Sequence, residues 1–307
     1  MKMKRIIIIL AFIVSIAAFS ACKFTLQDKG TPEYLTQIKE WHKQRIANLK
    51  KETGWLNLAG LYWLKDGENK FGSSKNMDVI FPAGKAPDKI GSLFLKDSIV
   101  TISVDASVNV KCAGKPVSKL QLINDQQNNT TILEYGSLRW FIIKRGTKYG
   151  IRLRDLDAPL VKSFQDIETY PINSDWKFEA KLEPFSQPMK IEIPNILGMT
   201  EEETSPGLLL FKKDGIEYKL LAIEEGNKYF MIFADETSGK ETYGAGRFLY
   251  ADKVDSNGLT YLDFNKAYNP PCAFTHFATC PLPPKQNHLK LSITAGEKKF
   301  ESESHSY

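Results

Sequence analysis

The chain has 307 residues, 42% hydrophobic and 11% aromatic, with a formal net charge of +5 at pH 7. That length and apolar content suit one large or two medium domains with true cores. Lysine and arginine occur only in short groups such as Lys50-Lys51, Lys212-Lys213 and Lys298-Lys299, which argues against nucleic acid or a charged lipid surface as a partner.

Lys2, Lys4 and Arg5 precede an apolar run of 14 residues, Ile6 to Phe19, broken only by Ser15. The run is short for a membrane span and ends in Phe19-Ser20-Ala21-Cys22, small residues leading into a cysteine, the pattern of a bacterial lipoprotein signal. Residues 1–21 are expected to be removed and Cys22 to carry lipid. The rest would then lie in the cell envelope, facing periplasm or exterior, with the membrane as partner through that anchor. An uncleaved N-terminal anchor is the alternative and also places the rest outside the cytoplasm. Removal leaves 307 − 21 = 286 residues and takes three of the five excess positive charges, so the mature chain is nearly neutral.

Residues 22–54 read as a tether and an amphipathic helix. Thr31-Pro32-Glu33 combines a capping hydroxyl, a first-turn proline and an acid that suits the helix dipole. Tyr34, Leu35, Ile38, Trp41, Ile46 and Leu49 fall near one face, and Gly54 is placed to end the segment. His42 on or beside this face reads as a packing or surface histidine.

From Trp55 the pattern changes to short alternating or apolar runs split by Gly, Pro, Asn and Asp, which predicts a mainly β protein. Strands are expected over Trp55–Leu64, Met77–Phe81, Ser92–Leu95, Ile99–Val104, Val108–Cys112, Thr131–Tyr135, Leu138–Arg145 and Tyr149–Leu153. Phe71-Gly72 followed by Met77-Asp78-Val79-Ile80-Phe81, and the hairpin pattern from Val108 to Val117, resemble a forkhead-associated β-sandwich over roughly residues 55 to 125. The resemblance implies a sandwich over residues 55–155. It does not carry phosphopeptide binding, because Gly72 is followed by Ser73-Ser74 in place of the family's arginine, and no histidine occurs between His42 and His276.

Residues 155–207, with prolines at 159, 171, 184, 188, 194 and 206, are expected to form a junction in which strand pairing is interrupted. Glu201-Glu202-Glu203 reads as a solvated acidic turn or helix start. A second antiparallel β unit is expected within residues 156–307, with strands over Leu208–Lys212, Glu217–Glu224, Lys228–Ala234, Gly246–Asp252 and Thr260–Phe264. Turn signals such as Lys213-Asp214-Gly215 and Glu225-Gly226-Asn227 separate them.

The chemistry of the chain concentrates in Asp263–Pro284, DFNKAYNPPCAFTHFATCPLPP, with two cysteines, a histidine, five prolines and three phenylalanines in 22 residues. Chain stiffeners mixed with apolar rings and polar groups predict an ordered loop that shapes a site. Cys272 and Cys280 are the expected disulfide pair in an oxidising compartment, leaving Cys112 as a buried thiol. A zinc reading would use Cys272, His276, Cys280 and His288. A nucleophile reading would have Cys272 or Cys280 attack an acyl group with His276 as base and Arg247 or Asn269 steadying an oxyanion. A binding reading uses Arg247, Asn265, Tyr268 and Asn269, with the cysteines and His276 nearby, to hold a small molecule or envelope component without covalent chemistry. The plainer roles are a strand-borne salt bridge for Arg247, to Asp263 or Glu241, turn caps for Asn265 and Asn269, and a core position for Tyr268. No resident metal or cofactor is expected.

Gly244-Ala245-Gly246-Arg247-Phe248-Leu249-Tyr250, the DFNKAYNPPCAFTHFATCPLPP segment, Asn287-His288 and Ala295-Gly296-Glu297-Lys298, together with GWLNLAGLYWLKDGENKFGS from Gly54 to Ser73, resemble the bacterial and archaeal family called domain of unknown function 1684. The resemblance defines a domain and lends no activity. The sequence therefore implies a lipid-anchored envelope protein that binds a ligand or is structural. The alternative is a hydrolase or transferase acting on envelope polymers, lipids or peptides through the Arg247 to Cys280 region.

Overall fold

The computed structural model describes residues 27–300. Cys22 and its flanking signal-like run lie outside the described residues. Helix α1 (Pro32–Lys50) begins where Thr31 Oγ1 accepts the Tyr34 N–H at 3.3 Å. It buries Ile38 and Leu49 against the rest of the chain.

Strands β1 (Leu58–Trp63), β2 (Gly67–Gly72), β3 (Val79–Ile80), β4 (Gly91–Lys96), β5 (Ile99–Val104), β6 (Lys111–Cys112), β7 (Lys115–Pro116), β8 (Lys119–Leu122), β9 (Leu133–Tyr135), β10 (Leu138–Arg145) and β11 (Lys148–Asp155) build the first unit. They form two sheets, ordered β1-β11-β10-β9-β6-β7 and β3-β2-β4-β5-β8. The inner faces meet in one core around Phe71, Leu93, Ile102, Trp140, Ile142 and Ile151, making a β-sandwich. Trp140 packs edge-on against Phe71 and Phe81 at 6.1 and 5.4 Å.

Helix α2 (Pro159–Ser163) leads into the second unit: β12 (Lys177–Pro194), β13 (Thr200–Lys213), β14 (Ile216–Glu225), β15 (Lys228–Phe233), β16 (Arg247–Asp252) and β17 (Leu259–Asp263). The sheet order is β16-β15-β14-β13-β12-β17, antiparallel throughout. It curls until its outermost strands approach, and Thr260 Oγ1 donates to the Asp252 carbonyl at 2.8 Å. Phe211, Leu220, Met231, Phe233, Leu249 and Phe264 fill the enclosed side.

The expected proline-broken junction is in fact the longest hairpin of the protein's second unit. Strand β12 pairs with β13 from Lys181↔Leu210 to Pro194↔Thr200, with its register shifting between Pro184 and Met189. Pro184 and Pro188 fall at that irregularity and Pro194 ends the strand, so these prolines sit where the ladder asks least of their missing N–H. The acidic triplet Glu201 to Glu203 consequently lies on β13, not in a turn. Strands β2, β7 and β8 are further additions to the expected set.

What positions the site is the burial of both faces of β11. Tyr149, Ile151 and Leu153 enter the sandwich core, while Arg152 and Arg154, on the opposite face, are also buried. The second unit covers them: Ile193, Ile223, Ile232 and Phe248 on the outer side of its sheet join Leu58, Cys272, Ala278 and Cys280 in an interfacial cluster.

Candidate functional site

The Asp263–Pro284 segment packs tightly. Phe264, Ala267, Asn269, Cys272, Ala273, Phe274, Ala278 and Cys280 are all buried. Asp263 accepts the Asn265 N–H at 3.2 Å to start a short 3-10 turn, and Pro271–Ala273 forms another. The buried carboxylate of Glu297 holds the segment from behind, taking the Asn269 N–H at 2.7 Å and Arg45 Nε of α1 at 3.0 Å. Arg45 also donates to the Asn269 carbonyl at 2.9 Å and stacks over the Tyr268 ring at 4.6 Å. Gly296 makes this approach feasible: its φ is 76°, and a Cβ would press to 2.7 Å from the Phe264 carbonyl oxygen.

Arg247 does not face a ligand cavity. Its side chain is 0% exposed, and its guanidinium donates to Asp235 Oδ2 at 2.8 Å and to the carbonyls of Ala295 and Ile293 at 2.5 and 3.0 Å. The ion pair expected for it exists, but with Asp235 in place of Asp263 or Glu241. Asn265 is likewise committed inside the fold, accepting the Asn173 N–H and donating to Tyr34 Oη, the Asn173 carbonyl and Asp263. It borders a separate cleft of about 550 Å³ that also contains His42, whose Nε2 lies 2.8 Å from Asp166. Asn269 donates its side-chain amide to the Lys298 carbonyl at 2.7 Å. Neither Arg247 nor Asn269 can therefore steady an oxyanion beside the cysteines without dismantling its own bonds.

Tyr268 and Cys280 do line a cavity, of about 440 Å³, between the two units. Its inner wall is Arg145, Arg152 and Trp55; the opposite wall carries Ile193, Ile223, Phe230, Phe248, Tyr250 and Tyr268. Tyr250 and Tyr268 stack at 6.3 Å with 12° between planes. Burial raises both phenols above their ordinary value, so they stay protonated donors. Glu201, Glu203, Glu224 and Glu225 also border the cavity. Glu224 is taken by Lys253 and Glu225 by the Tyr250 hydroxyl. The Glu203 carboxyl is raised by burial and by the charges of Glu201 and Glu225.

The arginines differ in what they have already bound. Arg145 is saturated by Asp125 at 2.8 Å and Glu201 at 3.3 Å. Arg154 donates to the Gly54 carbonyl and to Asn57 Oδ1. Arg152 is 4% exposed; among the described residues its Nε has no partner, and its one hydrogen bond is a 3.3 Å contact from Nη2 to Thr279 Oγ1. Among the described residues no carboxylate lies within ion-pairing distance of it. Burial, with Arg145 nearby, pulls its pKa down to about 10, which still leaves it charged near neutral pH. Sequence reasoning missed Arg152, because a polar residue alternating with Ile151 and Leu153 reads as solvent-facing.

Cys272 and Cys280 stand as two separate buried thiols, not the expected disulfide; the Cys272 N–H donates to Cys280 Sγ at 3.0 Å. Cys112 is partly exposed. His276 lies in a different cleft from the main cavity, with Cys272. His288 sits beside Ala234 through its backbone. Among the described residues no group of three or more His, Cys, Asp or Glu is gathered as metal ligands.

Fold and cavity together define a mainly β protein of two units with an aromatic-walled pocket between them, in which two arginines face four glutamates. Residues 162–298 match the family described as Protein of unknown function (DUF1684), so the resemblance carried by the C-terminal motifs recurs over the second unit. The Gly54–Ser73 block lies outside that match. Among solved structures, the chain is similar to an uncharacterized protein of Haloarcula marismortui, with 28% identity over 45% of this chain and 79% of the other at a TM-score of 0.39. It is also similar to an FHA domain from an analysis of phosphothreonine-dependent interactions, at 12% identity over 31% of this chain and 92% of the other, TM-score 0.21. The Rv0020c FHA domain is similar at 14% identity over 31% and 88%, TM-score 0.22. No curated protein matches the chain.

Proposed function

We propose that the protein binds a small molecule bearing one anionic group on an apolar or aromatic body, seated in the cavity between the two units. The observation that carries this reading is Arg152: a buried guanidinium with, among the described residues, no carboxylate in ion-pairing distance and no partner for its Nε, on the wall of that cavity. Burying an unpaired charge is costly, and an incoming carboxylate or phosphate would repay it through two parallel N–H···O bonds. Trp55, Phe230 and Phe248 would cover the apolar body. The glutamates at the cavity border would repel a second negative charge, restricting the ligand to one anionic head.

The test uses decanoate and decanol as probes, with binding followed by calorimetry and by tryptophan fluorescence. Decanoate is expected to bind the intact chain, and Arg152→Met to weaken it about 10- to 100-fold, the worth of a charge-assisted hydrogen bond. Decanol is expected to be insensitive to the substitution. Equal loss for both probes, or no loss for decanoate, overturns the reading.

The same proposal places this binding at the bacterial envelope, with Cys22 as the lipid-bearing residue. Metabolic palmitate labelling is expected to mark the wild-type chain and not Cys22→Ser; label persisting in the variant removes the anchor.

A further inference from the structure

The two buried cysteines of the packed loop are not explained by ligand binding. The 3-10 turn at Pro271–Ala273 brings Cys272 back against Cys280, eight positions on, so that the Cys272 N–H meets Cys280 Sγ at 3.0 Å. Both are nearly sheathed in protein, at 8% and 5% exposure. Yet each reaches a cavity from a different side. Cys280 lines the space that holds Arg152, while Cys272 lines a cleft of about 320 Å³ with Ile196, Leu197, Tyr243, Thr275 and His276. Ile196 and Leu197 are exposed apolar side chains at the mouth of that cleft.

We propose that Cys272 and Cys280 form a redox-active dithiol that reduces small, uncharged or apolar disulfides entering through the cleft beside His276. This rests on the loop geometry and not on the anion reading of the neighbouring cavity. Cys272 as thiolate attacks one sulfur of R–S–S–R; that S–S bond breaks, a Cys272–S–S–R mixed disulfide forms and RS⁻ leaves, taking a proton from solvent. The Cys280 thiol gives up its proton and attacks the Cys272 sulfur, releasing the second RS⁻, which is protonated in turn. The balance is one protein dithiol plus one R–S–S–R giving one protein disulfide plus two R–SH.

The two thiols are unequal in the way such a division of labour needs. The neighbouring Cys280 thiol, with Arg152 contributing charge, holds Cys272 below the usual thiol range, while burial pushes Cys280 up. Access assigns the roles: Cys272 lines the cleft through which the disulfide enters and attacks, and the resolving group is delivered by proximity.

The experiment uses the full chain in detergent with Cys22→Ser and Cys112→Ser, reduced, freed of reductant and mixed with one molar equivalent of 4,4′-dithiodipyridine. The expected result is two thiopyridones released per chain, an intact mass lower by two hydrogen atoms and no retained pyridyl group. The pH profile of the release should inflect below about 8.5, the ordinary thiol value. Adding Cys280→Ala should leave one pyridyl group trapped on Cys272. Three results overturn the proposal: no release without denaturant, a pyridyl adduct that persists on the intact pair, or a protein disulfide that resists dithiothreitol in the folded chain. The mass of the intact pair decides the matter even if the alanine variant does not fold.

Discussion

Arg247→Met is expected to destabilise the protein by about 3–5 kcal/mol, the cost of breaking a buried ion pair by removing one partner. The substitution strands Asp235 in the interior and leaves the carbonyls of Ile293 and Ala295 without their shared donor. Asp235 retains bonds from the Thr237 N–H and hydroxyl, at 2.8 and 2.6 Å, which offset little of the loss because its other oxygen faces the missing guanidinium. Urea unfolding of the full chain checks this through a lowered midpoint at constant slope. If Arg247 held a ligand instead, stability would change by under about 0.5 kcal/mol, as for surface positions. The paired variant Asp235→Leu with Arg247→Met should recover part of the loss, since replacing both members removes the uncompensated charge.

The second large effect is expected at Glu297. Its carboxylate is fully buried and joins three parts of the chain: Arg45 on α1, the Asn269 N–H in the packed loop, and its own C-terminal segment. Glu297→Ala leaves the Arg45 guanidinium facing a hole, with an expected cost again of about 3–5 kcal/mol. This lesion has a local signature. Because α1 touches the loop through Arg45, the amides of residues 264–274 should lose hydrogen-exchange protection more than those of the first sandwich around Trp140. Uniform loss across both units would show that the ion pair stabilises the fold as a whole and not the seat of the loop.

The start of α1 was legible because its cap is local: Thr31, Pro32 and Glu33 act within one turn. The β14 hairpins were legible for the same reason, since Gly215 and Gly226 have φ of 79° and 58° in the turns that flank the strand. The reach of β12 and β13 was hidden. Proline density argued for interruption, whereas the ladder absorbs Pro184 and Pro188 at one register shift. Composition also pointed to Arg247 as chemistry, though its partners arrive from Asp235 and the strand-free segment at Ile293–Glu297. Arg152 was illegible for the opposite reason. Alternation along β11 is a one-sheet signal, and only the arrival of the second unit converts its outward face into an interior.

That arrival gives the cavity a divided parentage. Its arginine without an ion-pair partner among the described residues, Arg152, stands on β11, ahead of residues 162–298, and its phenols and glutamates stand within them. A protein possessing just the later half would keep the greasy, hydroxylated surface and forfeit the guanidinium. On the proposed reading, selectivity for an anionic head would come from the leading sandwich, and the later residues would shape the rest of the groove.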